Sequence, residues 1–234
     1  MNTLHLFAGF GGGLFADLIL GHNPICAVEN DPWACNALRL RKKEGWFPNL
    51  NIKETSVEDF TESVCKGVDI VSAGLPCPIY STARRGKGEN LYSGWKRTVQ
   101  IVGNIKPKYA FFESTPSMQK DDLAIQRELL KHGYQYQAVI FDASRLGAPH
   151  FRRRYWGLAY SNGNSKPNRT IDAETRMLPE VQTCAWNSNP NELRMVDGIS
   201  DKRKRLKGIG NAQIPIVAAC AFSYLQSITK TEQT

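Results

Sequence analysis

Apolar runs alternate with amphipathic stretches along the first two thirds of the chain. Short apolar runs predict β-strands at 4–9, 25–30, 68–74, 108–114, 136–143 and 154–160. Helical spacing of apolar positions predicts helices at 13–20, 32–43, 95–105 and 125–133. Because strands and helices alternate, we expect an α/β fold, a Rossmann-like and mainly parallel sheet with helices on both faces.

The pattern breaks at residues 161–192, which are rich in Asn, Ser, Pro and Thr and carry little apolar periodicity. We interpret them as an irregular excursion or linker. Order returns at 205–228, whose last part is an amphipathic helix able to pack back on the sheet. The expected organisation is a catalytic domain at 1–157, a reduced irregular region at 158–195, and a C-terminal segment at 196–234 that returns to the first domain.

Composition narrows the classes of function. The 234 residues are enough for one sizeable domain. No apolar run reaches the length that spans a bilayer, and no basic stretch precedes an apolar one at the start, so we expect neither a membrane protein nor a signal peptide. The six cysteines are scattered without a CxxC pair, which argues against a zinc site or a disulfide framework and favours the cytosol.

The chain carries a net charge of +8, concentrated in clusters at 39–43, 84–87, 152–154 and 202–207. Such clusters are often only solvated faces. Two of these clusters lie beside the candidate catalytic residues described below. A basic surface there favours a polyanionic partner.

The glycine-rich stretch FAGFGGG at 7–13 follows a predicted strand and precedes a predicted helix. Glycines in that place let the backbone turn tightly and approach a ligand, although a tight turn without a ligand has the same sequence. Glu29 ends the second predicted strand, where an acid reaches ribose hydroxyls in dinucleotide-binding folds. The two features together indicate an adenosine-type cofactor.

Two reactive side chains follow neighbouring predicted strands. Cys77 comes after strand 68–74, and Glu113 ends strand 108–114. Ligands of open parallel sheets bind at the carboxyl ends of the strands, so we expect both residues at one crevice with the glycine turn. Arg152 and Arg154 could orient the carboxylate and favour a thiolate. A single cysteine in a core is otherwise ordinary packing.

Six motifs in order make the chain resemble the cytosine-C5 DNA methyltransferases, especially the short phage and prophage type. They are LFAGFGG, AVENDPWA, GLPCPIYS, KPKYAFFEST, LGAPHFRRRYWGLA and DGISDKRKRLKGIGNAQIP. The resemblance implies the Rossmann-like fold of S-adenosylmethionine-dependent methyltransferases, with domain 1–157 binding that cofactor. It also implies restriction-modification or phage biology, and cytoplasmic work in a bacterial or phage-infected cell.

The resemblance implies a reaction and a role for each matched residue. Cys77 adds to C6 of a cytosine flipped out of double-stranded DNA, Glu113 binds its amine and N3, and C5 takes a methyl group from S-adenosylmethionine. Arg152 and Arg154 complete the catalytic set. The expected cofactor residues are Phe7, Gly9, Phe10, Gly11, Gly12, Glu29, Asn30, Ser56, Val57, Pro76, Trp95, Asn211 and Ala212. The expected DNA-binding residues are Ser81, Arg84, Arg85 and Lys87, and no metal is expected.

The chain departs from the family pattern beside these residues. Pro78 stands where the family has Gln, Ser114 and Thr115 stand for Asn and Val, His150 stands for Gln, and Ser56 occupies the position of the Asp that meets adenine. Only about 40 residues remain for target recognition, which is marginal for a domain with its own core.

The departures leave three functions open. The first is cytosine-C5 methylation of DNA with a very short target or with recognition supplied by a second protein. The second is a related enzyme with an altered cofactor, product or nucleic-acid substrate. The third is a non-catalytic relative that binds DNA or cofactor and acts with a partner.

Overall fold

A seven-stranded sheet organises the described part of the chain. The computed structural model describes residues 1–64, 66–76, 91–161 and 212–230. Its strands are β1 (Asn2–Leu6), β2 (Asn23–Glu29), β3 (Asn51–Glu54), β4 (Ile70–Gly74), β5 (Tyr109–Ser114), β6 (Tyr134–Asp142) and β7 (Arg153–Ser161). Its α-helices are α1 (Gly12–Ile19), α2 (Pro32–Lys43), α3 (Leu91–Ile105), α4 (Asp122–Lys131) and α5 (Pro215–Lys230). Short 3₁₀ turns lie at Glu62–Val64, Pro116–Asp121 and Ala143–Leu146.

The strand order across the sheet is β3-β2-β1-β4-β5-β7-β6. The first five strands are parallel, and β7 runs antiparallel to both β5 and β6. The order in which successive strands are added to the sheet reverses between β1 and β4, although the two strands are parallel. Open α/β sheets bind ligands at such a switch point. The predicted Rossmann-like, mainly parallel sheet with helices on both faces is therefore confirmed.

Two apolar layers cover the sheet. Helices α3 and α4 pack on one face with Leu4, Val71 and Phe112. Helices α1 and α5 pack together on the other face, where Ile70, Phe111 and Phe222 form a second core. The second layer shows that the segment after residue 211 returns to the sheet, although 162–211 lies outside the described residues.

The alternation of side chains along the central strands sets what faces α1 and α5. Since neighbouring residues of a strand point to opposite faces, His5 of β1, Ser72 of β4 and Phe111 of β5 share one row beneath these helices. Gly74 and Glu113 are paired one step further along the same face, at the carboxyl ends of β4 and β5. A carboxyl group is thus buried at the opening between the sheet and the start of α5.

Three local expectations changed. The edge strand β3, which pairs with β2, was not predicted because its sequence NIKE is short and mostly polar. Helix α4 begins at Asp122, three residues before the predicted start at 125. Helix α3 begins at Leu91, whereas the prediction placed its start at 95. Within the described ranges, no helix is long and apolar enough to cross a membrane.

Candidate active site

The glycine-rich turn after β1 has an unusual backbone. Phe7, Gly9 and Gly11 all have positive φ, at 53°, 52° and 86°. Glycine adopts this conformation freely, but phenylalanine does so only where surrounding contacts enforce it. The Ala8 amide donates to the Val28 carbonyl at 3.1 Å, and this bond fixes the start of the turn to β2. A strained residue held in this way is typical of a ligand-binding segment.

Glu29 holds the glycine turn from the end of β2. One carboxylate oxygen accepts the Gly9 N–H at 2.7 Å, and the other accepts the N–H groups of Asn30 and Asp31 at 2.9 and 2.8 Å. A carboxylate has about four acceptor positions, so one remains for a ligand hydroxyl. The positive-φ turn and this spare acceptor fit the ribose side of an adenosine cofactor.

Other predicted cofactor residues lie in the turn itself or directly after β3. The ring of Phe10 meets Trp33 edge-on, with 4.8 Å between ring centroids. The Phe7 ring lies against α3, because a Cβ built on Gly94 would be 3.3 Å from the Phe7 Cζ. Val57 is buried in the core beside β3, and the Ser56 hydroxyl donates to Asp59 at 2.7 Å. Ser56 is therefore already engaged with a carboxylate that lies three residues along the chain.

Trp95 and Pro76 have different surroundings. The Trp95 ring packs against Phe112 in the core, and its indole N–H donates to Glu128 at 2.8 Å. Pro76 is exposed just beyond β4. Trp95 belongs to α3 and packs from that helix onto the sheet, and its role toward a cofactor stays a prediction.

Glu113 is the central titratable group of the site. Its side chain is buried, and the Arg154 Nε lies 3.0 Å from one carboxylate oxygen. Burial raises the pKa of Glu113 from 4.5 to about 7, against the opposing effects of Arg154, Arg152 and a hydrogen bond from Gln213. A carboxyl group in this range is poised to donate a proton at neutral pH or to accept one.

The two arginines that the sequence predicted have different contacts at this site. Arg154 pairs with Glu113, whereas the Arg152 Nη2 donates to the Ala212 carbonyl at 2.6 Å. Arg152 therefore fastens the segment before α5 to the strand that carries Arg154. The adjacent Phe151 is 90% exposed on this basic stretch.

Gln213 is a site residue that the sequence analysis did not single out. Its side chain hydrogen-bonds Glu113, and its backbone carbonyl would lie 2.2 Å from a Cβ on Gly12. Gly12 thus has a packing reason to be glycine: the terminal segment rests on the first turn of α1. The signal was present in GNAQIP, where Gln213 directly follows the predicted cofactor residue Ala212.

Besides Ser56, three residues that depart from the family pattern lie in the described ranges. The Ser114 side chain is buried, and its Oγ makes no hydrogen bond to the part of the chain that the structure describes. The Thr115 hydroxyl is 2.7 Å from the Ser117 hydroxyl, and His150 is exposed before β7.

Several predicted residues lie outside the described ranges. They are Cys77, Pro78, Ser81, Arg84, Arg85, Lys87 and Asn211, together with most of the expected recognition region at 158–195. The last described residues before Cys77 are placed close to Glu113, since the Leu75 N–H donates to the Glu113 carbonyl at 2.9 Å.

Comparison with known proteins identifies a family that the chain resembles in sequence. The family model C-5 cytosine-specific DNA methylase matches residues 1–217. The chain is 28% identical over 203 residues to the type II methyltransferase M.HindV of Haemophilus influenzae, covering 83% of this chain and 64% of the relative. It is 27% identical over 172 residues to M.HhaI of Haemophilus parahaemolyticus, covering 69% of this chain and 50% of the relative.

A solved structure shares the fold. It is a prophage-encoded E. coli protein described as a DNA modification methyltransferase, with a TM-score of 0.59 and 21% identity over 70% of this chain and 47% of that one. The chain therefore spans about half to two thirds of the length of these relatives. Since the family model matches most of its residues, the chain belongs to the C-5 cytosine-specific DNA methylase family.

Proposed function

We propose that the protein transfers a methyl group from S-adenosylmethionine to C5 of a cytosine flipped out of double-stranded DNA, through a covalent bond between Cys77 and C6. The observation that carries this proposal is Glu113, a buried carboxyl group with a raised pKa, held by Arg154 at the carboxyl end of β5. Family membership supplies the reaction class.

Glu113 supplies the acid for this chemistry. With a pKa of about 7, much of the group is protonated at neutral pH, so its O–H can donate to N3 of cytosine. A proton at N3 draws electron density from C6, while the second oxygen can accept from the exocyclic amine. Arg154, 3.0 Å from the carboxyl group, fixes its orientation toward the base.

Cys77 is the nucleophile in this proposal. Its segment leaves β4, the strand next to β5, which supports a position near Glu113. As a thiolate it adds to C6, and C5 then takes the methyl group as the bond between that group and the cofactor sulfur breaks. Loss of the C5 proton and departure of the thiolate restore the aromatic ring. A thiol suits this sequence because it attacks well near neutral pH and also leaves well.

S-adenosylmethionine supplies an electrophilic methyl group when bound. Glu29 would hold the ribose hydroxyls through its remaining acceptor position. Phe7, Gly9 and Gly11 would shape the turn around the cofactor, and Ala212 would close the site from the terminal segment. DNA is the proposed partner of the exposed basic stretch around Arg153 and of Arg84, Arg85 and Lys87.

Expression in a host that lacks cytosine methylation tests the proposal. Nucleoside mass spectrometry of the host DNA should detect 5-methylcytosine with the native chain and none with Glu113→Gln or Cys77→Ala. A new nucleoside of another mass would instead indicate an altered product. Unmodified DNA, with a folded protein that binds S-adenosylmethionine, would contradict methylation as the activity.

A further inference from the structure

A buried polar cluster lies behind the proposed catalytic carboxyl group. Asp17 of α1 accepts a hydrogen bond from Thr3, contacts His5 Nε2 at 2.6 Å and contacts His22 Nδ1 at 3.3 Å. His5 and Asp17 are 4% and 6% exposed. Burial alone would raise the pKa of Asp17, but the charge on His5 and hydrogen bonds from His22, His5 and Thr3 outweigh it and lower that pKa.

The opposite edge of the His5 ring faces Gln213. A Cβ built on Gly13 would lie 3.0 Å from the His5 Nδ1 and 2.7 Å from the Gln213 Oε1. Both residues line one small cavity, together with Ser72 and Phe111. Because Asp17 accepts from Nε2, His5 presents its Nδ1 edge to this cavity, next to Gln213 Oε1.

The two ends of the Gln213 amide have different partners. The Gln213 Nε2 lies near the Glu113 Oε2, since both are close to the Cβ position of Gly74, at 3.2 and 3.8 Å. The side chain hydrogen-bonds Glu113. Its Oε1 is buried and makes no hydrogen bond with any residue in the described ranges. A buried amide oxygen without a donor is costly, so this end needs a hydrogen-bond donor from across the cavity.

We propose that Gln213 is a positioning residue for Glu113 and that His5, held by Asp17, fixes the orientation of its amide across the cavity. A proton on Nδ1, or one water molecule between Nδ1 and Oε1, supplies the donor that Oε1 lacks. The amide Nε2 is then directed at Glu113. This inference rests on the proposed function at one point, which is that Glu113 is the group that acts on the base.

The geometry predicts in which direction Gln213 shifts the ionisation of Glu113. A donated hydrogen bond stabilises the ionised carboxylate, so losing the Gln213 donor favours protonated Glu113. Among the described residues, the charged or titratable groups that face Glu113 are Arg154 and Arg152, and those that face His5 are Asp17 and, through it, His22. These groups stay in place when only Gln213 is changed.

The test follows the ionisation of Glu113 without needing turnover. The carboxyl ¹³C resonance of Glu113, assigned by its loss in Glu113→Gln, is titrated in the full-length protein. Gln213→Leu should raise the titration midpoint by about one pH unit, the effect of one hydrogen bond to a charged group. His5→Gln keeps a donor toward Asp17 but removes the Nδ1 edge, and it should raise the midpoint by roughly half as much.

The double variant with His5→Gln and Gln213→Leu distinguishes an effect of His5 that passes through Gln213 from a general disturbance of the local structure. If His5 acts through the amide, the double variant has the same midpoint as Gln213→Leu alone. Leu20→Val, which alters the cavity wall without a polar group, should leave the midpoint unchanged. Gly13→Ala, which places a methyl group between His5 and Gln213 and removes no polar atom, should raise the midpoint as His5→Gln does.

An unchanged midpoint in Gln213→Leu, or shifts from His5→Gln and Gln213→Leu that simply add, would overturn the proposal. The pH dependence of methylation is the second measurement: its alkaline limit should move upward with the midpoint. If the midpoints follow the prediction and no variant or native protein methylates DNA, the positioning link stands and the proposed function fails.

Discussion

The cost of burying Glu113 can be measured as a pH dependence of stability. Its pKa rises from 4.5 to about 7 in the folded chain. Between these values the folded protein holds a proton that the unfolded chain has released, so the free energy of unfolding falls as pH rises through this window. At 1.36 kcal/mol for each pH unit, the loss amounts to about 3 kcal/mol and is complete above the folded pKa.

Glu113→Gln keeps the shape of the side chain and cannot ionise. Relative to the native chain, this variant should therefore gain about 3 kcal/mol of unfolding free energy between pH 4 and pH 8.5. Urea unfolding followed by tryptophan fluorescence at a series of pH values measures the difference. Glu44→Gln, which removes a carboxylate from the surface pair with Arg41, is the matched control and should show no such growing difference.

A difference in unfolding free energy between Glu113→Gln and the native chain that does not change with pH would refute the reasoning. It would mean that Arg154 and Gln213 offset burial and that Glu113 is an ordinary carboxylate at neutral pH. Such a group has no proton to donate to N3, so the role proposed for Glu113 would fail with it. A difference that decreases as pH rises would contradict a raised pKa of Glu113 even more strongly.

Three further predictions concern the cofactor turn and the loop of the nucleophile. Glu29→Gln should weaken S-adenosylmethionine binding by about tenfold or more in calorimetry, because one amide end repels the N–H donors of the turn; an unchanged Kd would remove Glu29 from the site. Gly12→Ala should destabilise the protein by about 1–3 kcal/mol in denaturation, since its Cβ would meet the Gln213 carbonyl, and an unchanged midpoint would show that the terminal segment is not packed there. Pro78→Gln should change target preference or rate while leaving attack by Cys77 intact, because proline fixes φ and lacks an N–H; if neither rate nor preference changes, the proline is neutral.

The elements with strong local signals were predictable. Helix α2 has the predicted bounds because Pro32 suits a first helical turn and the Asp31 side chain caps it by accepting the Trp33 N–H. Strand β5 differs from its predicted bounds by one residue, since six consecutive residues are buried there. In both cases the local sequence and the tertiary packing favour the same structure.

Features that depend on distant contacts were not predictable. The antiparallel insertion of β7 between β5 and β6 leaves no mark in local periodicity, because the same apolar run suits either direction. The short edge strand β3 is held by pairing with β2 rather than by its own apolar residues. His5, Asp17 and Gln213 come from three separate segments, so their proximity follows only from the fold.

Trapping on DNA that contains 5-fluorocytosine tests the central claim most directly. Fluorine at C5 cannot leave as a proton does, so an enzyme that attacks C6 and transfers the methyl group stays bonded to the base. With S-adenosylmethionine present, we expect a denaturation-resistant adduct between the native chain and the duplex, which is absent with Cys77→Ala and much reduced with Glu113→Gln. A native chain that binds the duplex and S-adenosylmethionine but forms no adduct would contradict covalent catalysis by Cys77.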